Sequence, residues 1–467
     1  MFIIGKLLKL IVKLLAFLLS LAILLLLVLY GYNFTQNIFS PYETADEPPV
    51  EGLGNEWSMH NLANTGDWFP ASLSAADVNG DGHLDYLICY AMAGKVRISI
   101  HPGANNAASI SQWASIDIAT LKNPQSATFA DLDNDGVPEI VVATGVEYQT
   151  ADALSALHVL RQKGDVWEQA GIIQSSEDKG QYESVQAVDI NGDGYLDLVV
   201  GGRSNRSSFH KDKGSALADL SYSGLKWFEN PGGKYVFSME KWPMHIIDTQ
   251  AHSGLQIVCA DVNSDGLVDV LLSNTGPDAP KDKLSLLLYQ NQGGNFSRSA
   301  LFLDDTLPEN APITVADLDG SGSLDILLHT DKEILVFSSG VSSPKARIAK
   351  PEAAQHAPSL LAAVDVNGDG RMDIIGGLTH QNGSLPKEKT ALFWLENHGG
   401  SYTPHVVKWG DNFLGVGPLQ FNGEKWLYAQ LHDVDGDGDV DIVALCREYN
   451  LITPILSVVW LENPAIP

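Results

Sequence analysis

Residues 77–85 read DVNGDGHLD, and this acidic nine-residue pattern returns six more times along the chain. The further copies begin at Asp131, Asp189, Asp261, Asp317, Asp365 and Asp433, and they read DLDNDGVPE, DINGDGYLD, DVNSDGLVD, DLDGSGSLD, DVNGDGRMD and DVDGDGDVD. An internal repeat predicts one structural unit per copy, and it overrides the domain number that a length of 467 residues would indicate. We therefore expect an architecture of seven related units.

The copies, called acidic loops 1 to 7 below, have oxygen-bearing side chains at positions 1, 3, 5 and 9 and glycine at position 6. Ca²⁺ takes six to eight oxygen ligands in a flexible geometry, whereas Mg²⁺ requires a stricter octahedron and keeps its water. Glycine permits a tight turn at position 6, and position 7 would offer its backbone carbonyl. The sequence thus predicts up to seven structural Ca²⁺ ions. The predicted ligands are Asp77, Asn79, Asp81, His83 and Asp85; Asp131, Asp133, Asp135, Val137 and Glu139; Asp189, Asn191, Asp193, Tyr195 and Asp197; Asp261, Asn263, Asp265, Leu267 and Asp269; Asp317, Asp319, Ser321, Ser323 and Asp325; Asp365, Asn367, Asp369, Arg371 and Asp373; and Asp433, Asp435, Asp437, Asp439 and Asp441.

The residues on both sides of each loop predict β-strands rather than the helices of an EF-hand. An EF-hand needs a bidentate Glu at position 12, but that position carries apolar or small residues here, from Ile88 in loop 1 to Ala444 in loop 7. The run after each loop is apolar and partly β-branched, as in YLICY after loop 1, and the residues before each loop alternate with a period of two. Each acidic loop should therefore join the two strands of a hairpin.

A second recurring segment follows the hairpins. KWFENPGGKYVF (226–237), LLYQNQGGNFSR (287–298) and LFWLENHGGSYTP (392–404) each predict a strand, a turn at the glycine pair and another strand. The chain ends in VVWLENPAIP (458–467), which has no following strand, while EWSMHNL (56–62) resembles KWPMHII (241–247). We therefore expect the first strand of the domain to complete the last sheet.

The repeated D-x-[DN]-x-[DS]-G-x-x-[DE] between strands, with W-[FL]-E-N and a glycine pair further on, resembles the FG-GAP/VCBS repeats of integrin-α-like β-propellers. The resemblance covers about residues 56–467 and implies an all-β, seven-bladed propeller closed by its terminal strands, which leaves no exposed sheet edge. It also implies that calcium loops lie on one face and that partners bind the opposite face. Two loops depart from the pattern. Ser321 in loop 5 removes a charge and predicts the weakest ion there, and Glu139 after Pro138 in loop 2 lengthens one ligand arm.

Charge and cysteine content exclude other classes. The net charge is −28, and the acidic loops hold 24 of the 57 acidic residues, so the acidity is borne by the repeat. Nucleic acid is excluded as a partner because no basic stripe is present to neutralise phosphates. Cys89, Cys259 and Cys446 are too few for a disulfide framework and lie in apolar runs, where cysteine packs as a small hydrophobe.

The N-terminus predicts a membrane anchor. Residues 14–30, LLAFLLSLAILLLLVLY, carry no charge, and Lys6, Lys9 and Lys13 precede them. We predict a basic cytoplasmic leader over 1–13, a transmembrane signal-anchor helix over 14–32, a linker over 33–55 and an extracytoplasmic propeller over 56–467. Cleavage of the apolar segment as a signal peptide, which would release a secreted propeller, is the alternative.

The loops opposite the predicted calcium face vary widely in length and carry many of the chain's cations, which indicates a ligand-binding face for protein or glycan partners. Two histidines are expected at the mouth of the central channel on that face. The candidate residues are Arg203, Arg206, His210, Lys211, Lys213, His252, His356, Lys387, Lys389 and Arg447.

Aromatic and histidine residues outside this face are interpreted as structural. Trp227, Trp394 and Trp460 should fill the space between blades, and three histidines of the outer strands, His60, His245 and His405, share one register.

The sequence as a whole predicts a membrane-anchored binding or adhesion module. A propeller enzyme acting on polysaccharide, as a lyase or sugar dehydratase, and a scaffold subunit of an envelope complex both remain open, because fold analogy does not choose among them. Neither a catalytic residue nor the identity of the ligand is assigned.

Overall fold

Every acidic loop joins two antiparallel strands, as the sequence predicts. In all seven hairpins the first strand ends at the residue before position 1, and the second strand begins at position 9. Alternation before the loop and a continuous apolar run after it place the second strand in the interior, where both of its faces are covered. The hairpins are the repeating unit of the fold.

The computed structural model describes residues 13–26, 28, 57–62, 67, 70–145, 155–164, 166–173, 181–203, 224–238, 242–249, 251, 257–275, 284–308, 310–355, 357–379, 390–409, 423–449 and 458–464. These residues contain 28 strands in seven four-stranded antiparallel sheets, the blades. The first six blades, from the inner to the outer strand, are β2 (Pro70–Ala76), β3 (Asp85–Tyr90), β4 (Lys95–Ile100) and β5 (Ala114–Thr120); β6 (Pro124–Ala130), β7 (Glu139–Thr144), β8 (Ala156–Lys163) and β9 (Val166–Ile173); β10 (Gln181–Val188), β11 (Asp197–Arg203), β12 (Leu225–Phe228) and β13 (Met244–Asp248); β14 (Ile257–Ala260), β15 (Asp269–Asn274), β16 (Ser285–Asn291) and β17 (Phe296–Leu303); β18 (Ile313–Ala316), β19 (Asp325–His329), β20 (Glu333–Ser338) and β21 (Ala346–Ala349); and β22 (Pro358–Val364), β23 (Asp373–Leu378), β24 (Thr390–Asn397) and β25 (Tyr402–Trp409). Blade 7 consists of β26 (Gly423–His432), β27 (Asp441–Tyr449), β28 (Val458–Glu462) and β1 (Ser58–Asn61). Single 3-10 turns span Ala104–Asn106, Ile110–Gln112, Gly233–Tyr235 and Glu352–Ala354.

Blade 7 confirms the predicted closure by the two ends of the domain. Strand β1 pairs antiparallel with β28 in a register that places Ser58 opposite Glu462 and Asn61 opposite Val459. The inner strands contact one another in sequence order, and β26 of blade 7 contacts β2 of blade 1. The seven blades therefore form a closed ring, which is a seven-bladed β-propeller.

The hydrophobic core lies between the blades. One cluster joins blades 2 and 3 through residues such as Val141 and Val200, and another joins blades 4 and 5 through residues such as Leu288 and Leu328. Each blade thus buries its apolar faces against its neighbours, and no blade has a core of its own.

Trp227, Trp394 and Trp460 take part in this packing, and a histidine ring stacks on each of them. The rings of His245, His405 and His60 stack on these tryptophans with centroids 4.3, 4.3 and 4.4 Å apart. Each histidine Nε2 also lies 2.7–2.8 Å from a glutamate oxygen, on Glu229, Glu396 and Glu462 respectively. The shared register predicted for the histidines is a repeated packing motif of the outer strands.

One predicted strand was placed wrongly. The segment KYVF of blade 3 was expected to be a strand, but Gly233–Tyr235 forms a 3-10 turn and the outer strand begins only at Met244. Trp242 Nε1 donates to the Val236 carbonyl at 2.9 Å, which ties the 3-10 turn to the residues just before the outer strand. This local contact replaces the two-residue hairpin that the glycine pair indicates.

The chain divides into two units, Met1–Ala45 and Asp46–Pro467, and the second contains the propeller. Residues 13–26 and 28 are helical. Within the described residues, the structure contains no helix that is both long enough and apolar enough to cross a membrane.

Candidate functional site

The acidic loops share one hydrogen-bonded turn. In all seven, one oxygen of the position 1 carboxylate accepts the N–H of the position 6 glycine, at 2.7–3.0 Å. The glycine has a φ between 82° and 101° in every loop, which confirms that this turn requires a left-handed residue. Position 4 also has positive φ in every loop, including Asn134 and Ser264, a requirement that sequence reasoning missed.

The oxygens at positions 3 and 5 line the inside of the same turn. In loop 1, Asp81 N–H donates to the Asn79 side chain at 2.9 Å, and His83 N–H donates to Asp81 Oδ1 at 2.9 Å. Loops 3, 4 and 6 repeat both bonds, while loop 5 uses Ser321 Oγ as the acceptor at position 5. The structure therefore brings the predicted side-chain ligands at positions 1, 3 and 5 together in one turn.

The position 9 carboxylates lie beneath the loops and are almost completely buried, with exposures of 0–3%. In loops 1, 2, 3, 6 and 7 one of their oxygens accepts the backbone N–H of position 2, at 3.0–3.1 Å. The buried carboxylate thus ties the entry of the loop to the start of the second strand. A buried negative charge requires such partners or a cation, because desolvation without them is costly.

The donor set fits a hard divalent cation. The carboxylates of Asp131, Asp133 and Glu139 in loop 2 can place one oxygen each within 4.8 Å of the others, and those of Asp433, Asp435 and Asp441 in loop 7 can do the same. Asp133 Oδ1 is buried and has no hydrogen-bond partner among the described residues. Burial, together with neighbouring carboxylates, raises the pKa of Glu139 to about 7 and that of Asp441 to about 6. Oxygen atoms so arranged are the ligands that Ca²⁺ takes.

Basic side chains approach three of the loops. Arg161 from β8 places Nη2 2.7 Å from Asp135 Oδ2 and 3.1 Å from Asp133 Oδ2, over loop 2. Lys345, just before β21, places Nζ 2.5 Å from Asp325 Oδ1 and 2.9 Å from Asp319 Oδ2, in loop 5. Arg371 of loop 6 pairs with Asp369 in its own loop.

Asparagines at the ends of the third strands connect each loop to the preceding blade. In these bridging asparagines, Nδ2 donates to the position 2 carbonyl of the preceding loop at 2.7–3.1 Å and to the position 8 carbonyl of its own loop at 3.0–3.1 Å. Their backbone N–H groups donate to the position 9 carboxylates at 2.7–2.8 Å. The bridging asparagines are Asn230, Asn291, Asn397 and Asn463. The sequence feature that could have indicated these bridges is the recurring asparagine of W-[FL]-E-N, but by itself it predicts only the end of a strand.

Blade 1 has a histidine in this role. His101 N–H donates to Asp85 Oδ1 at 2.8 Å, and His101 Nε2 lies 3.0 Å from the Val434 carbonyl of loop 7. Gly103 N–H donates to His101 Nδ1 at 3.0 Å, so the ring presents Nε2–H to the carbonyl. An imidazole with this tautomer reproduces the donation of the amide to the position 2 carbonyl of the preceding loop.

Replacing a bridging asparagine is expected to destabilise the propeller. Asn397→Ala removes the donor to the buried Leu318 carbonyl and to the partly buried Met372 carbonyl, which should lower the free energy of unfolding by about 2–4 kcal/mol. Urea denaturation measures the loss. The control is Asn106→Ala, an exposed asparagine that makes a single 3.3 Å contact to the Pro102 carbonyl and should cost less than about 0.5 kcal/mol. Equal losses in the two variants would contradict the bridging role.

The inner strands enclose a central channel with a cavity of about 480 Å³. Polar residues along these strands bond to the next blade: Ser74 Oγ donates to the Ala127 carbonyl at 2.7 Å, and Gln186 Nε2 donates to the Ile257 carbonyl at 2.9 Å. Toward the end away from the acidic loops, five of the inner strands contain a β-bulge, namely β2, β6, β10, β22 and β26. Bulges of this kind re-aim side chains at functional sites.

Three hydroxyls at this end of the cavity are buried without a hydrogen-bond partner in the part of the chain that the structure describes. Ser184 Oγ, Ser359 Oγ and Tyr428 OH all belong to residues that line the cavity. Ser184 and Ser359 are only 6% and 4% exposed. Buried hydroxyls are normally paired, so these three are unsatisfied polar groups of the described lining.

Most of the predicted ligand-face residues lie outside the described residues. These are Arg206, His210, Lys211, Lys213, His252, His356, Lys387 and Lys389. Arg203 is the last residue of β11, and Arg447 Nε donates to the Pro70 carbonyl at 2.6 Å, which joins blade 7 to blade 1.

Seven hairpins with glycine-turned acidic loops, closed into a ring, define a seven-bladed β-propeller. Residues 77–142 and 261–328 match the family described as FG-GAP-like repeat, and residues 182–208 match the FG-GAP repeat. The chain is therefore a seven-bladed β-propeller that carries FG-GAP repeats.

Among solved structures, two crystal structures described as BBS1N in complex with ARL6DN, soaked with lead and with mercury, are similar to this chain. Both share 11% sequence identity with it at a TM-score of 0.49. The matches cover 88% and 87% of this chain, and 99% and 96% of the other chains. Similarity at this level supports no conclusion about ligands.

Proposed function

We propose that this protein is a membrane-anchored, exported, calcium-stabilised propeller that binds protein or glycan ligands. The fold supports a binding module, because a closed ring of blades presents loops from a rigid scaffold. Calcium is supported by the oxygen donors at positions 1, 3, 5 and 9 of the acidic loops, with the position 7 carbonyl as a further ligand. Residues held in this way would make each ion part of the folded state, since ion binding then contributes folding free energy.

The anchor and the location are proposed from sequence. The uncharged segment 14–32 behind three lysines would hold the N-terminus in the cytoplasm and place residues 56–467 outside it. Export agrees with the loops, because modules outside the cytosol meet calcium at concentrations that weak oxygen sites need.

The observation that carries ligand binding is the cavity with its three unpaired hydroxyls, at the channel end away from the acidic loops. Hydroxyl groups both donate and accept, and they match the hydroxyl groups of a sugar. A cavity of about 480 Å³ is of the size of known small-ligand pockets. We therefore favour a glycan, whose chain would continue onto the cation-bearing loops of the same face.

A binding experiment with oligosaccharides tests this function. The full chain in detergent is titrated with neutral and uronate-containing oligosaccharides, and calorimetry gives the affinity. Replacing both Ser184 and Ser359 with alanine should weaken binding about tenfold, because one or two hydrogen bonds worth about 1.4 kcal/mol in total are lost. The control replaces the exposed pair Ser109 and Ser111, which bond to each other at 3.1 Å, and should leave affinity unchanged.

The same titration separates the alternatives. Unsaturated sugar products during incubation would show a lyase, and the sequence leaves that possibility open. No binding of any oligosaccharide, together with a protein captured from solubilised membranes, would contradict the glycan and favour a scaffold or protein-binding role.

A further inference from the structure

Acidic loop 5 differs from the other loops because a lysine ammonium lies among its carboxylates. Lys345 Nζ is 2.5 Å from Asp325 Oδ1 at position 9 and 2.9 Å from Asp319 Oδ2 at position 3. Both residues belong to the predicted calcium ligands of this loop. The ammonium therefore bridges two positions that a metal ion would bridge.

The lysine also replaces a contact that most other blades make with the backbone. In blades 1, 3, 4, 6 and 7 the position 9 Oδ1 accepts an N–H from His101 or a bridging asparagine. At the end of strand β20 the sequence reads VFSS (336–339) where blades 3, 6 and 7 read W-x-E-N, and Asp325 Oδ1 accepts from Lys345 there. Blade 5 has thus exchanged a neutral donor for a charged one.

The formal charge of loop 5 also disfavours a calcium ion. Loops 1, 3, 4 and 6 each carry three carboxylates, and loop 5 also carries three because position 5 is Ser321 while position 3 is Asp319. Lys345 reduces its formal charge from −3 to −2, and a Ca²⁺ ion on the same oxygens would lie close to a positive ammonium. Like charges this near destabilise each other in a partly buried site.

Loop 2 provides a comparison that lacks this effect. It has four carboxylates, so Arg161 brings it to −3, the value of loops 1, 3 and 4. Its carboxylates at positions 1, 3 and 9 still converge within 4.8 Å. Arg161 also places Nε 3.4 Å from Glu139 Oε1, so it contacts positions 3, 5 and 9 of loop 2. Loop 2 differs from loop 5 because its fourth carboxylate leaves it a formal charge of −3 beside the bound cation. In loop 6, Arg371 also brings the formal charge to −2, but among the described residues its ion pair is with Asp369 at position 5, and its Nε donates to the Asn397 carbonyl at 2.7 Å.

We propose that Lys345 takes the place of calcium in loop 5, so that the protein binds six Ca²⁺ ions, in loops 1 to 4, 6 and 7. Blade 5 is then held by a cation that is part of the chain and stays closed when calcium is scarce. This inference rests on the proposed calcium binding of the other loops.

The test counts bound calcium in the full chain in detergent, by equilibrium dialysis followed by elemental analysis. The wild type should bind six ions. Lys345→Met keeps the aliphatic stem and removes the charge, so loop 5 becomes available and the count should rise to seven. Arg161→Met should leave the count at six, and so should the control Lys163→Met, an exposed lysine whose one ion pair, in the described residues, is with Glu168 at 3.5 Å.

The outcomes separate this inference from the proposed function. Seven ions in the wild type, or six in a folded Lys345→Met variant, would overturn the role of Lys345 while leaving calcium binding intact. No calcium in any variant would remove the proposed function itself and this inference with it. The wild-type count decides even where a variant does not fold.

Discussion

Removing calcium with EDTA is expected to lower the unfolding temperature of the full chain by about 20 °C. An ion present at a thousand times its dissociation constant contributes about 4 kcal/mol per site. Several such sites, set against an unfolding entropy of about 2 cal/mol/K per residue, produce a shift of this size. Differential scanning fluorimetry in calcium and in excess EDTA measures it.

The physical reason is repulsion within the loops. Loop 7 alone has five aspartates in nine residues, and burial with neighbouring carboxylates raises the pKa of Asp439 to about 7. Without an ion these carboxylates must either take up protons or repel one another across a single turn.

The control for ion specificity adds calcium or magnesium, one at a time, to the EDTA-treated protein. Adding calcium to the EDTA-treated protein should restore the original transition, whereas an equal concentration of magnesium should not, because these flexible loops do not supply its strict octahedron. An unfolding temperature that EDTA leaves unchanged would contradict structural calcium.

The hairpins were predictable because everything that defines them is local. Position 6 needs a left-handed backbone, which only glycine adopts freely, and the strands on either side have periodicities that nine residues of context reveal. Closure was predictable for a similar reason, since the last segment lacks a partner strand and the first resembles an outer strand. Seven units at intervals of 48–72 residues leave little freedom for another topology.

The connections between blades were not predictable from the same pattern. Asn397 meets the Leu318 carbonyl across 79 positions of sequence, and nothing near either residue indicates the other. Lys345 reaches Asp319 from 26 positions away, and in the sequence it resembles any surface lysine. The five bulges in the inner strands depend on how the strands meet around the channel, which is a property of the ring rather than of any segment.

Deletion of β1, the strand that closes the ring, is expected to cause the second large loss of stability. Strand β1 pairs with β28 along four residues, and Leu62 N–H donates to the Val458 carbonyl at 2.9 Å. Trp57 is 5% exposed, and its N–H donates to the Val407 carbonyl of blade 6 at 3.0 Å. The segment therefore completes blade 7 and contacts blade 6, while the chain continues from it into blade 1.

Removing residues 57–62 exposes the edge of β28 and the ring of Trp460, on which His60 stacks. Burying Trp57 and Leu62 contributes about 2 kcal/mol each, so the loss with the backbone pairing should exceed about 5 kcal/mol. The variant should show a broad, lowered thermal transition and a tendency to associate, because an open edge strand pairs with other chains. Deleting residues 43–48 of the predicted linker is the control of equal length and should leave the transition in place.

Adding the deleted segment back as a separate peptide distinguishes the loss of ring closure from other effects of shortening the chain. A peptide of residues 57–62 added to the shortened protein can form the same antiparallel pairs with β28, as extended peptides do at open sheet edges. We expect it to raise the unfolding temperature in a concentration-dependent way, and a peptide with His60 and Leu62 replaced by serine to be much less effective. If the shortened protein melts as the wild type does, the closing strand does not hold the ring, and the contacts between β26 and β2 must be sufficient to close it.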